Sequence, residues 1–349
     1  MTTVALSHGY PPIWNMGGEV SLHRTMIAAP GEKFVLTSTD SSYDIDGVKV
    51  IKIDAENVLD IATDPNPIAN QLKALNANIV ISQNELSLAA VKAAEMVGAI
   101  SIVSVHTPPK YGGNLKVATS LADYAIYNTR TSAEQWGEPN ALVLHPPITE
   151  PPATYSKTGD AYTLLSSLLN KGIEVVLKLA TRYPDKRFLV VRSPAEPTHG
   201  LPNLEELVSN LPNVELLPRV SPDEVYKYLE QTRILLVPSR YETYGMSAIE
   251  AAGYGIPCVH VDTPHVREGI GEGAILVPPL DTDATAAGID LIEKNYDLYS
   301  LNARKRAEWL YARQALEALQ FSDFINNLEK PTESEKSRRT RRVTSATRR

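Results

Sequence analysis

Short apolar runs recur through the first half of the chain, each cut off by polar or turn-forming residues: TVALSH, KFVLTS, VKVIKI, NIVIS, AISIVSV, YAIYN and ALVLH. Their length and β-branched content predict buried strands. Between several of them lie stretches with helical spacing, such as 84–97, where Leu86, Leu88, Val91 and Ala94 recur. Strands alternating with helices predict a parallel, doubly wound sheet.

The segment HPPITEPPATYSKTGD has four prolines and no periodicity, and reads as a linker. After it the pattern restarts. AYTLLSS, RFLVVR, NVELLP, RILLVP, IPCVHV and GAILVPP are strand candidates. KGIEVVLKLATRY places Ile173, Val176, Leu177 and Ala180 at helical spacing. SPDEVYKYLEQ opens on a capping box from Ser221 to Glu224, with Pro222 at the first helical position. Residues 282–327 read as mainly helical, with Trp309, Ala312, Leu316 and Leu319 predicted on one side. No internal repeat is visible.

The expected organisation is α/β: two Rossmann-like, doubly wound domains facing each other across a cleft. Residues 1–148 form the first, 149–160 the linker, 161–300 the second, and 301–328 C-terminal helices that pack back on the first domain. Residues 329–349 are expected to be a disordered basic tail.

Composition narrows the function classes. The 349 residues are 43% hydrophobic and 21% charged, ordinary for a globular protein of about two domains. No apolar run approaches the roughly 18 residues of a membrane span. No basic segment precedes an apolar one at the start, so no signal peptide is expected, and a cytoplasmic location fits (the host cytoplasm for a phage-encoded protein). Cys258 is the sole cysteine, which excludes an internal disulfide and a multi-cysteine zinc site. Net charge is −7, unevenly spread. Residues 336–349 hold seven basic residues and no acid, leaving 27 basic against 41 acidic residues, a net −14, elsewhere. The tail reads either as a solvated terminus or as an arm for a polyanion such as DNA.

Open α/β sheets bind ligands beyond the carboxyl ends of their strands, so loops that follow strands are where chemistry is expected. In HGYPPIWNMGGEV, Gly17 and Gly18 precede a helix and permit close approach to a phosphate, although a plain turn needs them equally. His106 ends a strand and is either a cleft residue or a structural histidine. Lys171 opens a helix, as a phosphate partner or an exposed terminal lysine. In ETYGMSAIEAAGYGIP, Glu242 falls on a strand-to-helix loop and Glu250 inside the helix. Carboxylates beside an anion-binding helix start make sense if the anionic ligand also carries hydroxyls. The acidic triplets DID at 44–46 and DTD at 281–283 fall in turn or helix-start contexts and read as caps; no essential metal is expected.

VPSRYETYGMSAIEAAGYGIPCVHVD, continued by EGAILVPPLD, resembles the donor half of retaining GT-B glycosyltransferases of the family 4 type, glycosyl transferases group 1. The likeness extends back through NVELLPRVSPDEVYKYLEQTRILLVPS and the Lys171–Gly172 helix, and more weakly to HGYPP…GGE and LADYAIYNTRTSAEQW, over about residues 1–325. It implies a nucleotide-sugar donor such as a UDP- or GDP-sugar, and no separate cofactor. Glu242 would hold the donor sugar, with loop contacts from Thr243, Tyr244, Gly245 and Met246. Glu250 would hold the ribose hydroxyls and Lys171 a phosphate. Gly17 and Gly18 would approach the donor phosphate, and His106 would lie near the reacting sugar. One position departs: the family pattern has Gly-Arg where this chain has Ser166 and Ser167. Ser167 can donate a hydrogen bond to phosphate but carries no charge, and Arg192 is the candidate to replace the arginine.

The resemblance implies a retaining, metal-independent, front-face transfer to a hydroxyl acceptor. That acceptor is a glycan, a lipid-linked or small molecule, or modified-base DNA as in phage enzymes. The alternatives are an epimerase- or phosphorylase-like enzyme of the same fold, or a catalytically weak nucleotide-sugar-binding protein.

Overall fold

A computed structural model describes residues 1–13, 17–38, 42–53, 62–151, 159–193, 196–219 and 224–347. The capping-box residues Ser221 and Pro222 and residues 152–158 of the proline-rich segment lie outside the described residues. Two compact units emerge, Met1–Pro147 with Gln314–Arg349, and Ile148–Arg313.

In the first unit the strands are β1 Thr2–Ser7, β2 Glu32–Thr37, β3 Tyr43–Ile45, β4 Val48–Lys52, β5 Ile79–Gln83, β6 Ile100–Val105, β7 Tyr124–Tyr127 and β8 Leu142–Val143. They form one sheet in the order β3-β4-β2-β1-β5-β6-β7-β8, parallel except for the β3–β4 pair. The helices of this half are α1 Gly17–Ala28, α2 Asn66–Ala74, α3 Ser87–Val97, α4 Asn114–Leu121 and α5 Arg130–Gln135. Apolar residues from both faces of the sheet are buried. Val4, Leu6 and Leu36 pack with α2 and α3, while Ala5, Val35 and Ile81 pack with Leu22 and Met26 of α1. Burial on both faces is why these strands read as continuous apolar runs.

In the second unit, β9 Ala161–Leu164, β10 Phe188–Val191, β11 Val214–Leu217, β12 Thr232–Val237, β13 Cys258–Val261 and β14 Ala274–Val277 make a parallel sheet in the order β11-β10-β9-β12-β13-β14. Its helices are α6 Ile173–Arg182, α7 Glu196–His199, α8 Leu204–Ser209, α9 Tyr226–Leu229, α10 Met246–Gly253, α11 Pro264–Glu268, α12 Thr282–Lys294 and α13 Tyr296–Asn326, the last ending in the first unit. The chain runs outward from β9 to β11, then returns to place β12 on the other side of β9. Strand order therefore reverses between β9 and β12, the position where such sheets bind ligands.

Two expectations need correction. The basic tail expected to be disordered is helical over Glu333–Thr347, helix α14. Arg339 and Val343 of that helix are buried, and the Arg339 guanidinium meets Glu138 through Nε at 2.7 Å and a second nitrogen at 2.9 Å. A basic sequence folds here because acidic residues of the first unit neutralise its inner face. The second correction concerns α13. The buried positions are Ser300, Ala303, Ala307, Leu310, Glu317, Phe321 and Ile325, whereas Trp309, Leu316 and Leu319 are 52%, 55% and 66% exposed. The true inner face carries Glu317, whose carboxylate accepts from the His145 backbone N at 3.1 Å and pairs with His145 Nδ1 at 2.6 Å. Among the described residues no helix is long and apolar enough to cross a membrane.

Candidate functional site

The second unit's switch point brings Lys171 and Glu242 together. Lys171 ends a single 3₁₀ turn, Leu169–Lys171, just beyond β9; Glu242 lies in the loop leaving β12. Lys171 Nζ donates to Glu242 Oε1 at 2.6 Å, and Ser239 Oγ donates to the same oxygen at 2.7 Å. The backbone holds the two loops together, since Arg240 N donates to Asn170 O at 2.8 Å. Gly172 makes this approach feasible. Its φ is +88°, and a Cβ there would sit 2.7 Å from Pro238 O. Thr263 Oγ1 donates to Glu242 O at 3.0 Å, fixing the loop from a third side.

Beyond Glu242 the chain turns through Gly245, φ +88°, into α10. A Cβ on Gly245 would lie 2.8 Å from Nε2 of His260, which is fully buried on β13. His260 Nδ1 bonds the Val261 carbonyl at 2.9 Å. A carbonyl can only accept, so Nδ1 carries the proton and Nε2 keeps its lone pair under the loop. Burial holds this imidazole below its usual pKa range, which keeps it neutral. The first amides of α10 lack intrahelical acceptors and supply positive potential at the loop.

The other expected contacts divide. Thr243 is half-buried, and Met246 packs partly against the core. Tyr244 is a core residue: its side chain is 2% exposed and its hydroxyl accepts from an Arg313 nitrogen at 2.6 Å. Only its backbone is left for a ligand. Glu250 is half-buried within α10, close enough to Tyr254 and Tyr311 that its charge helps burial to raise both phenols.

Ser167 does not fit its expected role. It is fully buried, accepts from Ser193 N at 3.0 Å and donates its only proton to Glu196. A hydroxyl with its one proton committed cannot also donate to phosphate. Glu196, on α7, also receives Arg192, whose other guanidinium nitrogen is held by Glu205. The candidate replacement cation is thus neutralised by two carboxylates.

In the first unit, Gly17 and Gly18 open α1 after the β1 loop, with Gly18 packed beside Gln83 at the end of β5; a Cβ there would be 3.7 Å from Gln83 Nε2. Order reverses between β1 and β5, so this pair also marks a switch point. Gln83 is 2% exposed, and its Oε1 has no partner among the described residues. His8 pairs with Glu85 nearby. His106 follows β6, half-buried, with Nε2 3.0 Å from Ser104 Oγ. Loss of solvation pushes its pKa down to about 4, so its ring is neutral at physiological pH. A neutral ring can exchange a hydrogen bond with a hydroxyl.

Sequence reasoning missed Ser239, Thr263, His260, Glu196 and Gln83. Ser239 was the most accessible of these, ending VPS directly before the loop. The others are brought in by strand pairing, which leaves no local signal. The acidic triplets have local partners: Asp281 caps α12 by accepting from Ala284 N at 2.9 Å, and Asp46, in a turn at φ +47°, lies 3.0 Å from His23 Nε2. Among the described residues no three His, Cys, Asp or Glu are grouped to hold a metal ion.

Residues 163–295 match the family model described as glycosyl transferases group 1. A Haemophilus influenzae protein named as an uncharacterized glycosyltransferase is 30% identical over 136 residues, 37% of this chain and 38% of that protein. The chain therefore aligns with well under half of that relative's length. Two solved structures share the fold at greater coverage. Sucrose-phosphate synthase from Thermosynechococcus elongatus superposes with a TM-score of 0.74 at 17% identity, covering 93% of this chain and 98% of that one. Anabaena HepE in complex with UDP-glucose gives 0.74 at 16% identity, covering 94% and 100%. The fold is GT-B. Within the group 1 span, Lys171, Glu242 and Glu250 all lie on the loops and helix around the switch point.

Proposed function

We propose that this chain is a glycosyltransferase that moves a sugar from a nucleotide donor to a hydroxyl acceptor, with retention at the anomeric carbon and without a metal ion. The observation that carries the reading is the Lys171–Glu242 pair, seated at the switch point of a group 1 unit. The likeness to a fold solved with UDP-glucose supports a nucleotide-sugar donor.

The chemistry follows from the groups present. Glu242 Oε1 is occupied by Lys171 and Ser239, so Oε2 is the atom that accepts from the donor sugar's hydroxyls. Lys171 and the first amides of α10 stabilise charge growing on the leaving diphosphate. Cleavage of the anomeric carbon–phosphate oxygen bond and attack by the acceptor oxygen occur on one face of the sugar. The acceptor's proton passes to the leaving diphosphate, so no protein nucleophile is required. Arg192 joins only if phosphate displaces Glu196 and Glu205. Glu250 accepts from the ribose hydroxyls. Glu250→Ala should therefore weaken binding of the nucleoside diphosphate by about 1.5–3 kcal/mol, roughly tenfold to over a hundredfold. An unchanged dissociation constant in calorimetry would remove the ribose role.

The reading is tested with a panel of nucleotide sugars, following nucleotide release with and without hydroxyl acceptors and the anomeric configuration of the product by NMR. Transfer with retention, undiminished by a chelator, is expected. An inverted product, or activity lost to chelation and restored by magnesium or manganese, would contradict the mechanism; an epimerised donor would contradict the reaction class. Tight binding with no release under any acceptor would indicate a binding protein, the reading favoured by the carboxylate-held Arg192.

A further inference from the structure

Helix α14 sorts its basic residues by face. On the inner face, Arg339 is buried against Glu138 and donates to the Ala122 carbonyl, and Lys336 Nζ lies 2.6 Å from Asp123 Oδ1. Thr340 Oγ1 donates to Ser120 O at 2.7 Å, and Lys116 Nζ of α4 reaches Thr347 O at 3.2 Å. These contacts fix the rotation of the helix on the first unit. The outer face then carries Ser334, Ser337, Arg338, Arg341, Arg342 and Ser345, all exposed.

Arg338, Arg341 and Arg342 are three and four residues apart, so their guanidinium groups share one side within about 6 Å of helix axis. Among the described residues none of the three is in an ion pair. Glu335, the nearest acid in sequence, accepts from Thr332's amide and hydroxyl at 2.8 Å each and feels the Arg338 charge only at a distance, without an ion pair. Like charges at this spacing repel and weaken a helix. The arrangement is thus unfavourable in isolation and becomes favourable when an extended anion covers it. It stands on a chain that is otherwise acidic, so the local positive charge is not a general property of the surface.

We propose that the outer face of α14 docks the phosphate backbone of a nucleic acid. Guanidinium groups pair with phosphate oxygens bidentately, and the interleaved serine hydroxyls add neutral donors of the kind that fix register on a backbone. A membrane surface is the less suited occupant, because an interfacial helix needs an apolar face to bury. Val343, the one aliphatic residue of α14 larger than alanine, faces the core. The surface does not involve Lys171 or Glu242, and the proposal does not rest on the donor reading.

The test uses the full chain and a short fluorescein-labelled DNA duplex, with anisotropy titrations across a salt series. Wild-type protein should bind with an affinity that falls linearly on logarithmic axes. The R338Q/R341Q/R342Q variant should lose about three units of that slope, one per phosphate contact released. The R338K/R341K/R342K variant keeps the charges and should keep the slope. Because all three side chains are exposed and repel one another, the variants should be no less stable than wild type in unfolding experiments. No binding by the wild type at low salt, an unchanged slope in the glutamine variant, or equal loss of slope in the lysine variant would each overturn the proposal. So would stronger, arginine-dependent binding to phosphatidylglycerol vesicles than to the duplex.

Discussion

Replacing Lys171 with methionine is expected to lower the turnover number by about a hundred- to a thousandfold, the cost typical of deleting one preorganised donor to a developing anion. The ammonium is poised by a glycine turn and by hydrogen bonds between the two switch-point loops, so little reorganisation accompanies the reaction. It acts on charge that grows as the anomeric bond breaks, and the loss should appear mainly in the turnover number, with a smaller change in KM. A structural role predicts something different. If Lys171 served only to satisfy Glu242, the methionine variant would melt earlier and Glu242→Gln would rescue it. Both are measurable by thermal unfolding and initial rates. A K171M enzyme retaining more than about a tenth of wild-type turnover would refute the electrostatic role. Lys171→Arg keeps the charge on a longer, planar group and should recover only part of the rate.

Why some features were readable and others were not comes down to whether their cause is local. The central strands were legible because burial on both faces makes each an unbroken apolar run, and β4 and β11 because their apolar residues remain β-branched or aliphatic between exposed ones. The exception is β3, Tyr43–Ile45, an antiparallel edge strand half-exposed and acidic at its centre, which reads as turn. The placement of Glu242 and Glu250 on a strand–loop–helix was legible because that spacing is local, whereas Lys171 reaches Glu242 from 71 positions away through strand pairing. Ser167 was misjudged because its partner Glu196 lies a strand and a loop away, and nothing in LLSSLL indicates that the hydroxyl is spent. The inner face of α13 was misread for a related reason. A buried carboxylate interrupts the true stripe, and only the contact with His145 reveals that Glu317 is satisfied there. Tyr244 shows the opposite error, since a tyrosine in a ligand loop can point away from the ligand.

Arg339→Met should strongly destabilise the first unit. The guanidinium and the Glu138 carboxylate are both buried, joined by two hydrogen bonds, and Glu138 also accepts from the Tyr127 hydroxyl at 2.8 Å. Removing one partner leaves the other buried charge without its counterion, at a cost of about 3–5 kcal/mol. The protein has one way to limit this cost, which is to release α14 and let water reach Glu138. Global unfolding and limited proteolysis separate the two responses. A docked helix with a stranded carboxylate lowers the denaturation midpoint while the C-terminus stays resistant to trypsin. A released helix caps the loss at its docking free energy, and cleavage within 333–347 becomes fast. Arg339→Lys keeps the charge but not the paired geometry, and should fall between. Donor-nucleotide affinity should be unchanged in every variant, because the Lys171–Glu242 site belongs to the other unit. Wild-type stability together with wild-type protease resistance in R339M would show that the buried pair does not anchor this helix.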